Sequence, residues 1–174
     1  MRQSCAAVIL AALSFPCAAE ELTPQAIRAM IADVGADAAV QWLDEGNSPG
    51  NAWAQLTDKI ESGEAAWLDL VPLLKPGTDA GTAEDLEIAL SRALRANPQG
   101  VLALVAAGHY APVEICTGNE IENPPLEAVA GIDAALKTVA ALLDPALREG
   151  RNACLAELGK ARIAILVGAA NPLD

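Results

Sequence analysis

From Thr23 onward the apolar residues recur at intervals of three and four. Ile27, Met30, Ile31 and Val34 fall at i, i+3, i+4 and i+7, one face of a helix, and Gly35 is a suitable stop. The same period predicts a second helix over about 37–45, turning Val40 and Leu43 inward and stopped by Gly46. A third, over about 51–62, carries Trp53, Leu56 and Ile60 and ends at Gly63; a fourth begins near Glu64 with Trp67, Leu70, Val71 and Leu74. Pro72 falls inside that fourth pattern, where it removes a hydrogen bond and should kink or shorten the helix.

The second half reads in the same way. Thr82 is expected to cap a fifth helix, with Asp85 three residues on as an acidic variant of the capping box, and Leu86, Ala89, Leu90, Ala93 and Leu94 as its stripe. A sixth runs from Asn97-Pro98 to Gly108 over Val101, Leu102 and Val105. A seventh covers about 124–143 with Leu126, Val129, Ile132, Leu136, Val139 and Leu143 inward. An eighth covers about 144–167 with Leu147, Cys154, Leu155, Leu158, Ile165 and Leu166. Five starts share one signal, a capping residue followed by proline: Thr23-Pro24, Ser48-Pro49, Asn97-Pro98, Asn123-Pro124 and Asp144-Pro145. Only "YAPVEIC" alternates like a strand, and Pro112 demotes it. The expected fold is all-α: about eight short helices stacked as antiparallel hairpins, in a HEAT-like short array or an irregular bundle.

Two segments, "IADVGADAAVQWL" and "IESGEAAWLDLVPLL", each place a glycine before a helix bearing a tryptophan, a hint of an αα repeat. The block at 60–102, "IESGEAAWLDLVPLLKPGTDAGTAEDLEIALSRALRANPQGVL", resembles small exported bacterial helical proteins of uncharacterised function. Its hairpin style is similar to HEAT-type repeats. The first likeness implies a place outside the cytoplasm and no activity, and the second implies architecture alone.

The N-terminus changes the picture. Arg2 precedes an apolar run from Cys5 to Phe15, followed by Pro16, the small residues Cys17, Ala18 and Ala19, and then Glu20 and Glu21. This is the order of a secretory leader, with cleavage expected after Ala19. The run is 11 residues, against the ~20 of a membrane helix. Residues 20–174 then form one domain in the periplasm or outside the cell. Cleavage discards Cys5 and Cys17, so Cys116 and Cys154 are the remaining pair, and in an oxidising compartment they are expected to form a disulfide. A metal site built from these cysteines and His109 has no tight ligand spacing to support it.

The whole chain carries a net charge of −12 from 23 acidic and 11 basic residues; loss of Arg2 leaves ten basic residues and −13. Such a surface repels nucleic acid and anionic lipid, and leaves a cationic protein as the partner it would attract. Trp42, Trp53 and Trp67 fall on inward stripes and read as core.

Catalytic patterns are lacking. Ser48, Ser62 and Ser91 sit in no G-x-S-x-G; there is one histidine and no H-E-x-x-H; and "KPGTDAGTAED" lacks the G-K-[ST] ending of a phosphate loop. No cofactor, metal or catalytic residue is expected. Arg148, Arg151, Lys160 and Arg162 gather on the last helix and read as a solvated face. The longest stretch expected to be non-helical, 108–125, holds His109, Tyr110, Glu114, Glu120 and Glu122 and one bridge cysteine, and is the expected interaction loop. The chain therefore reads as an extracytoplasmic binding protein with an acidic surface. The alternative is a carboxylate-based enzyme of the cell envelope, whose paired acids would be neighbours only in space.

Overall fold

The computed structural model describes residues 22–45, 51–117 and 123–170; the expected leader, Ser48-Pro49, Glu120 and Glu122 lie outside them. Ten helices are present among the described residues and no strand: α1 Pro24–Val34, α2 Ala36–Asp44, α3 Ala52–Glu61, α4 Ala65–Leu68, α5 Val71–Leu74, α6 Ala80–Ala93, α7 Pro98–Ala106, α8 Pro112–Ile115, α9 Pro125–Ala140 and α10 Arg148–Ala170. The all-α expectation holds.

Local chemistry sets the boundaries. The Thr23 hydroxyl accepts the Ala26 N–H at 3.2 Å, and Pro24 follows where its missing N–H costs nothing. Gly35 (φ 85°) and Gly63 (φ 75°) turn the chain through the left-handed region after α1 and α3, so the two glycines of the sequence repeat do the same work. Asn97 links two elements: its Oδ1 accepts the Gly100 N–H at 2.9 Å, capping α7, and its Nδ2 donates to the Gly63 carbonyl at 2.8 Å.

Several starts differ from expectation. Asp79, not Thr82, caps α6. The Asp79 carboxylate accepts the Thr82 N–H and the Thr82 hydroxyl accepts the Asp79 N–H, both at 2.9 Å, a reciprocal box three residues earlier in the chain than the Thr82/Asp85 pair. The Thr82 N–H holds the Asp79 carboxyl below its ordinary range. Asp85 instead accepts the indole N–H of Trp53 at 2.9 Å. Asn51 caps α3 with its side chain on the Ala54 N–H at 3.2 Å. α9 starts at Pro125 without a side-chain cap, and Asp144-Pro145 opens a 3-10 turn, Pro145–Leu147, ahead of α10. The expected fourth helix is broken into α4, α5 and a 3-10 turn, Lys75–Gly77, because Pro72 and then Pro76 each remove a donor.

One apolar cluster runs from Ile27 of α1 to Leu158 of α10, and the predicted stripes of α2, α3 and α6 all point into it. Each fully buried large aliphatic contributes ~1.5–3 kcal/mol. Trp53 and Trp67 are core as expected, but Trp42 is 42% exposed; α2 packs through Ala39, Val40 and Leu43, and position 42 falls outside that arc. Leu126 and Leu143 are also exposed, because α9 buries Ala128, Ile132, Ala135 and Val139. Alanine at 128 and 135 allows a close approach that leucine would block.

The helix pairs have readable directions. From Arg151 to Arg162, α10 advances while its partners retreat from Leu142 to Asp133, with bonds of 2.6 Å at both ends, so α9 and α10 form an antiparallel hairpin. α3 packs more extensively on α6 than on α4. Trp53 meets Asp85, and Glu61 meets Arg92 and Arg95 at 3.2 and 3.4 Å, so this pair is parallel, the chain returning through α4 and α5. The Lys75–Gly77 turn lies on the start of α2. A Cβ on Gly77 would stand 2.3 Å from the Ala36 carbonyl carbon, so only glycine permits that approach.

Candidate functional site

The expected interaction loop contains a helix. α8, Pro112–Ile115, lies within it, and the chain is fastened on both sides of that helix. At the C-terminal end Cys116 and Cys154 are bonded, with Cα atoms 5.2 Å apart and both residues fully buried. The bridge joins α8 to α10 and spans 38 positions, which is ~4 kcal/mol in the chain-entropy account. With both sulfurs bonded, neither serves as a thiolate for His109 to share a metal with.

The N-terminal end is held by a residue that sequence reading did not single out. Lys75, from the 3-10 turn after α5, places its Nζ 3.7 Å from the centre of the Tyr110 ring. The same ammonium donates to the His109 carbonyl at 2.6 Å and lies 3.9 Å from Glu114. Glu114 also accepts the Ala111 N–H through Oε2, closing the first turn of α8. A lysine ammonium thus meets an aromatic face, a carbonyl and a carboxylate at once. Tyr110 is only 4% exposed. Burial, then the charges of Glu87 and Glu114, push its hydroxyl pKa upward, so it stays protonated. Its ring lies inside the fold against the Lys75 ammonium and anchors the segment. His109 is exposed, and it holds Lys75 through its main-chain carbonyl.

Beside this anchor lies a groove of about 490 Å³ between α6 and α8, lined by Ala80, Ala83, Glu84, Glu87, Val113, Glu114 and Thr117. Its polar character comes from three carboxylates, and Val113 rises in it 57% exposed. Burial first, and then the neighbouring Glu114 and Glu84, raise the Glu87 carboxyl pKa, while Lys75 acts against them. Of the expected residues, then, the structure brings together Tyr110, the His109 carbonyl and Glu114. It adds Lys75, Glu84, Glu87 and Val113. Glu84 and Glu87 lie one turn apart on α6 and look like an ordinary solvated helix face; only the tertiary fold reveals that α8 closes over them. A second depression, of about 310 Å³, is also acidic, with Asp37, Asp44, Glu45 and Asp79 in its lining.

Three of the four basic residues singled out on the last helix are drawn into local pairs. Arg162 meets Asp133 at 2.6 Å, Lys160 meets Glu157 at 2.8 Å, and Arg151 donates to the Leu142 carbonyl at 2.6 Å. Among the described residues no helix is long and apolar enough to cross a membrane.

Comparison of the chain with protein-family models, with curated proteins and with solved structures found no match.

Proposed function

We propose that the chain is an exported acidic binding protein whose α6/α8 groove receives a cationic segment of a protein partner. The observation that carries this reading is the groove itself: Glu84, Glu87 and Glu114 line one depression, with exposed Val113 offering apolar contact among them. Its walls are fixed, by the Cys116–Cys154 bridge on one side and Lys75 on the other. A rigid wall keeps the ordering cost of binding low. The net charge of −12 draws cationic partners from a distance. The leader-like N-terminus and the disulfide support placing the protein in the periplasm or outside the cell.

The test is titration with a lysine-rich probe peptide bearing one aliphatic residue. Binding is expected, weaker at high salt, and lost in a Glu84→Gln/Glu87→Gln variant. Absence of binding, or binding indifferent to both salt and variant, would refute the reading.

One observation favours the enzyme as a second reading. The raised Glu87 carboxyl pKa beside a second carboxyl group is the type of arrangement used in acid–base cleavage of polymers. Hydrolysis of an envelope polymer that disappears in Glu87→Gln would establish it in place of the binder.

A further inference from the structure

The two walls of the α6/α8 groove are supported unequally. Glu84 and Glu87 belong to α6, whose Leu86, Ala89 and Leu90 are buried in the main cluster, so that wall stands with the core. Val113 and Glu114 belong to α8, a helix of four residues, far below the ~12 at which a helix begins to hold itself. The N–H groups of Glu114 and Cys116 bond the Ala111 and Pro112 carbonyls, at 3.0 and 2.8 Å, and so close within the turn itself. Within 111–116 only Ile115 and Cys116 are buried. On the N-terminal side Tyr110 is seated in the cluster beneath the Lys75 ammonium. On the C-terminal side the tie is covalent, the Cys116–Cys154 bond to α10. Both of its cysteines are 0% exposed.

That burial sets the order of events. A disulfide forms when a thiolate attacks a donor disulfide and a second thiolate resolves the mixed bond. A donor cannot reach sulfurs already sealed in the fold. Oxidation therefore begins while α8 stands away from α10, and closing the bond draws it down. We infer that the Cys116–Cys154 bond is a latch that completes the groove: the reduced chain keeps its core and its α6 carboxylates but lacks the α8 wall, and the cation-binding face is assembled on oxidation. This rests on the groove being the binding site, as proposed above. The two cysteine thiols and one donor disulfide, from a protein or a small thiol, give the internal bond and two donor thiols. Two electrons pass to the donor, and the two cysteine protons leave on its thiols. The rest of the fold has its own support. Leu43, Leu56, Leu74 and Leu90, of α2, α3, α5 and α6, are fully buried, and α10 is tied to α9 through Arg151 and Arg162. A chain in a reducing compartment thus presents Glu84 and Glu87 as an ordinary helix face. Capture begins where a donor disulfide is at hand.

Amide hydrogen exchange read by mass spectrometry tests the latch without any ligand. Three forms are compared: the oxidised chain, the chain reduced in urea and returned to buffer with a phosphine, and a Cys116→Ala/Cys154→Ala variant. In the two forms without the bond, exchange over 113–116 should be at least ~10-fold faster, with α3 and α6 unchanged and the helical far-UV spectrum kept. The lysine-rich probe peptide should bind both at least ~10-fold more weakly than the oxidised chain. Glutathione disulfide should restore protection and binding to the reduced chain and not to the variant. Unchanged exchange in α8 without the bond overturns the inference whether or not the peptide binds. Loss of the far-UV helix signal in both forms also overturns it, since the bond would then hold the whole fold. So does equal peptide affinity in all three forms. An oxidised chain that takes no peptide strikes the binding reading instead, and exchange reports the latch separately.

Discussion

Lys75→Met offers a measured test of how the α8 segment is held. Methionine keeps the aliphatic stem and removes the ammonium, so the packing is nearly conserved while three contacts disappear. The contact with the ring of buried Tyr110, at 3.7 Å, accounts for ~1 kcal/mol. The charge-assisted bond to the His109 carbonyl, at 2.6 Å, adds ~1 kcal/mol, taken below the usual range because the lysine is partly solvated. The ion pair to Glu114 spans 3.9 Å between side chains 36% and 37% exposed, and so adds only a few tenths, ~0.3 kcal/mol. The expected loss is therefore ~2 kcal/mol, read as a fall of ~1 M in the urea midpoint. A companion Glu114→Gln variant removes the weak ion pair but retains an oxygen for the Ala111 N–H. It should shift the midpoint by less than half as much. The reasoning is refuted if Lys75→Met unfolds at the same urea concentration as the parent, or if Glu114→Gln matches it.

Two further outcomes follow from the same packing. Because folding raises the Glu87 carboxyl pKa, the folded state binds the proton more tightly than the unfolded chain. Glu87 therefore subtracts stability once pH rises through its folded pKa, and below the unfolded value of ~4.3 it has no effect. Glu87→Gln should stabilise the protein at pH 7 and not at pH 3.5, as thermal melts at the two pH values will report. Gly77→Ala forces a Cβ to 2.3 Å from backbone in α2 and should cost ~3 kcal/mol or more, whereas Gly159→Ala meets open space within α10 and should add ~0.5–1 kcal/mol; equal melting temperatures for the two variants would contradict the close approach.

Much of this architecture was readable from residue pattern, and the exceptions share a cause. Period and caps located α1, α2, α3, α6 and α7 within a few residues, because each places its apolar positions on one arc against the core. Counting cysteines beyond the expected leader pointed to Cys116 and Cys154, which are bonded in the fold. Periodicity shows which face turns inward but not how far a partner extends along it. Leu126 therefore matched the α9 stripe, and Leu166 that of α10, while both stand in solvent at the hairpin's end. Trp42 failed similarly, since three small or medium residues suffice to seat α2. The Asp79/Thr82 box stands in the sequence as D-x-x-T and overlaps the Thr82/Asp85 pattern at Thr82, so residue types alone do not choose between them. The anchor had no local signal: Lys75 reaches a carbonyl 34 residues away, and nothing in "LLKPGT" marks that lysine from any other. The groove carboxylates on α6 gained their meaning only when α8 was laid against them.

The account depends most on a chain whose α8 segment is cross-linked in an oxidising compartment. Alkylation of protein taken directly from its cells, followed by proteolysis without reductant and mass mapping, tests that claim. The expected result is one peptide pair joined through Cys116 and Cys154, absent after reduction, from a chain that begins at Glu20. Recovery of both cysteines as separate alkylated peptides would contradict it.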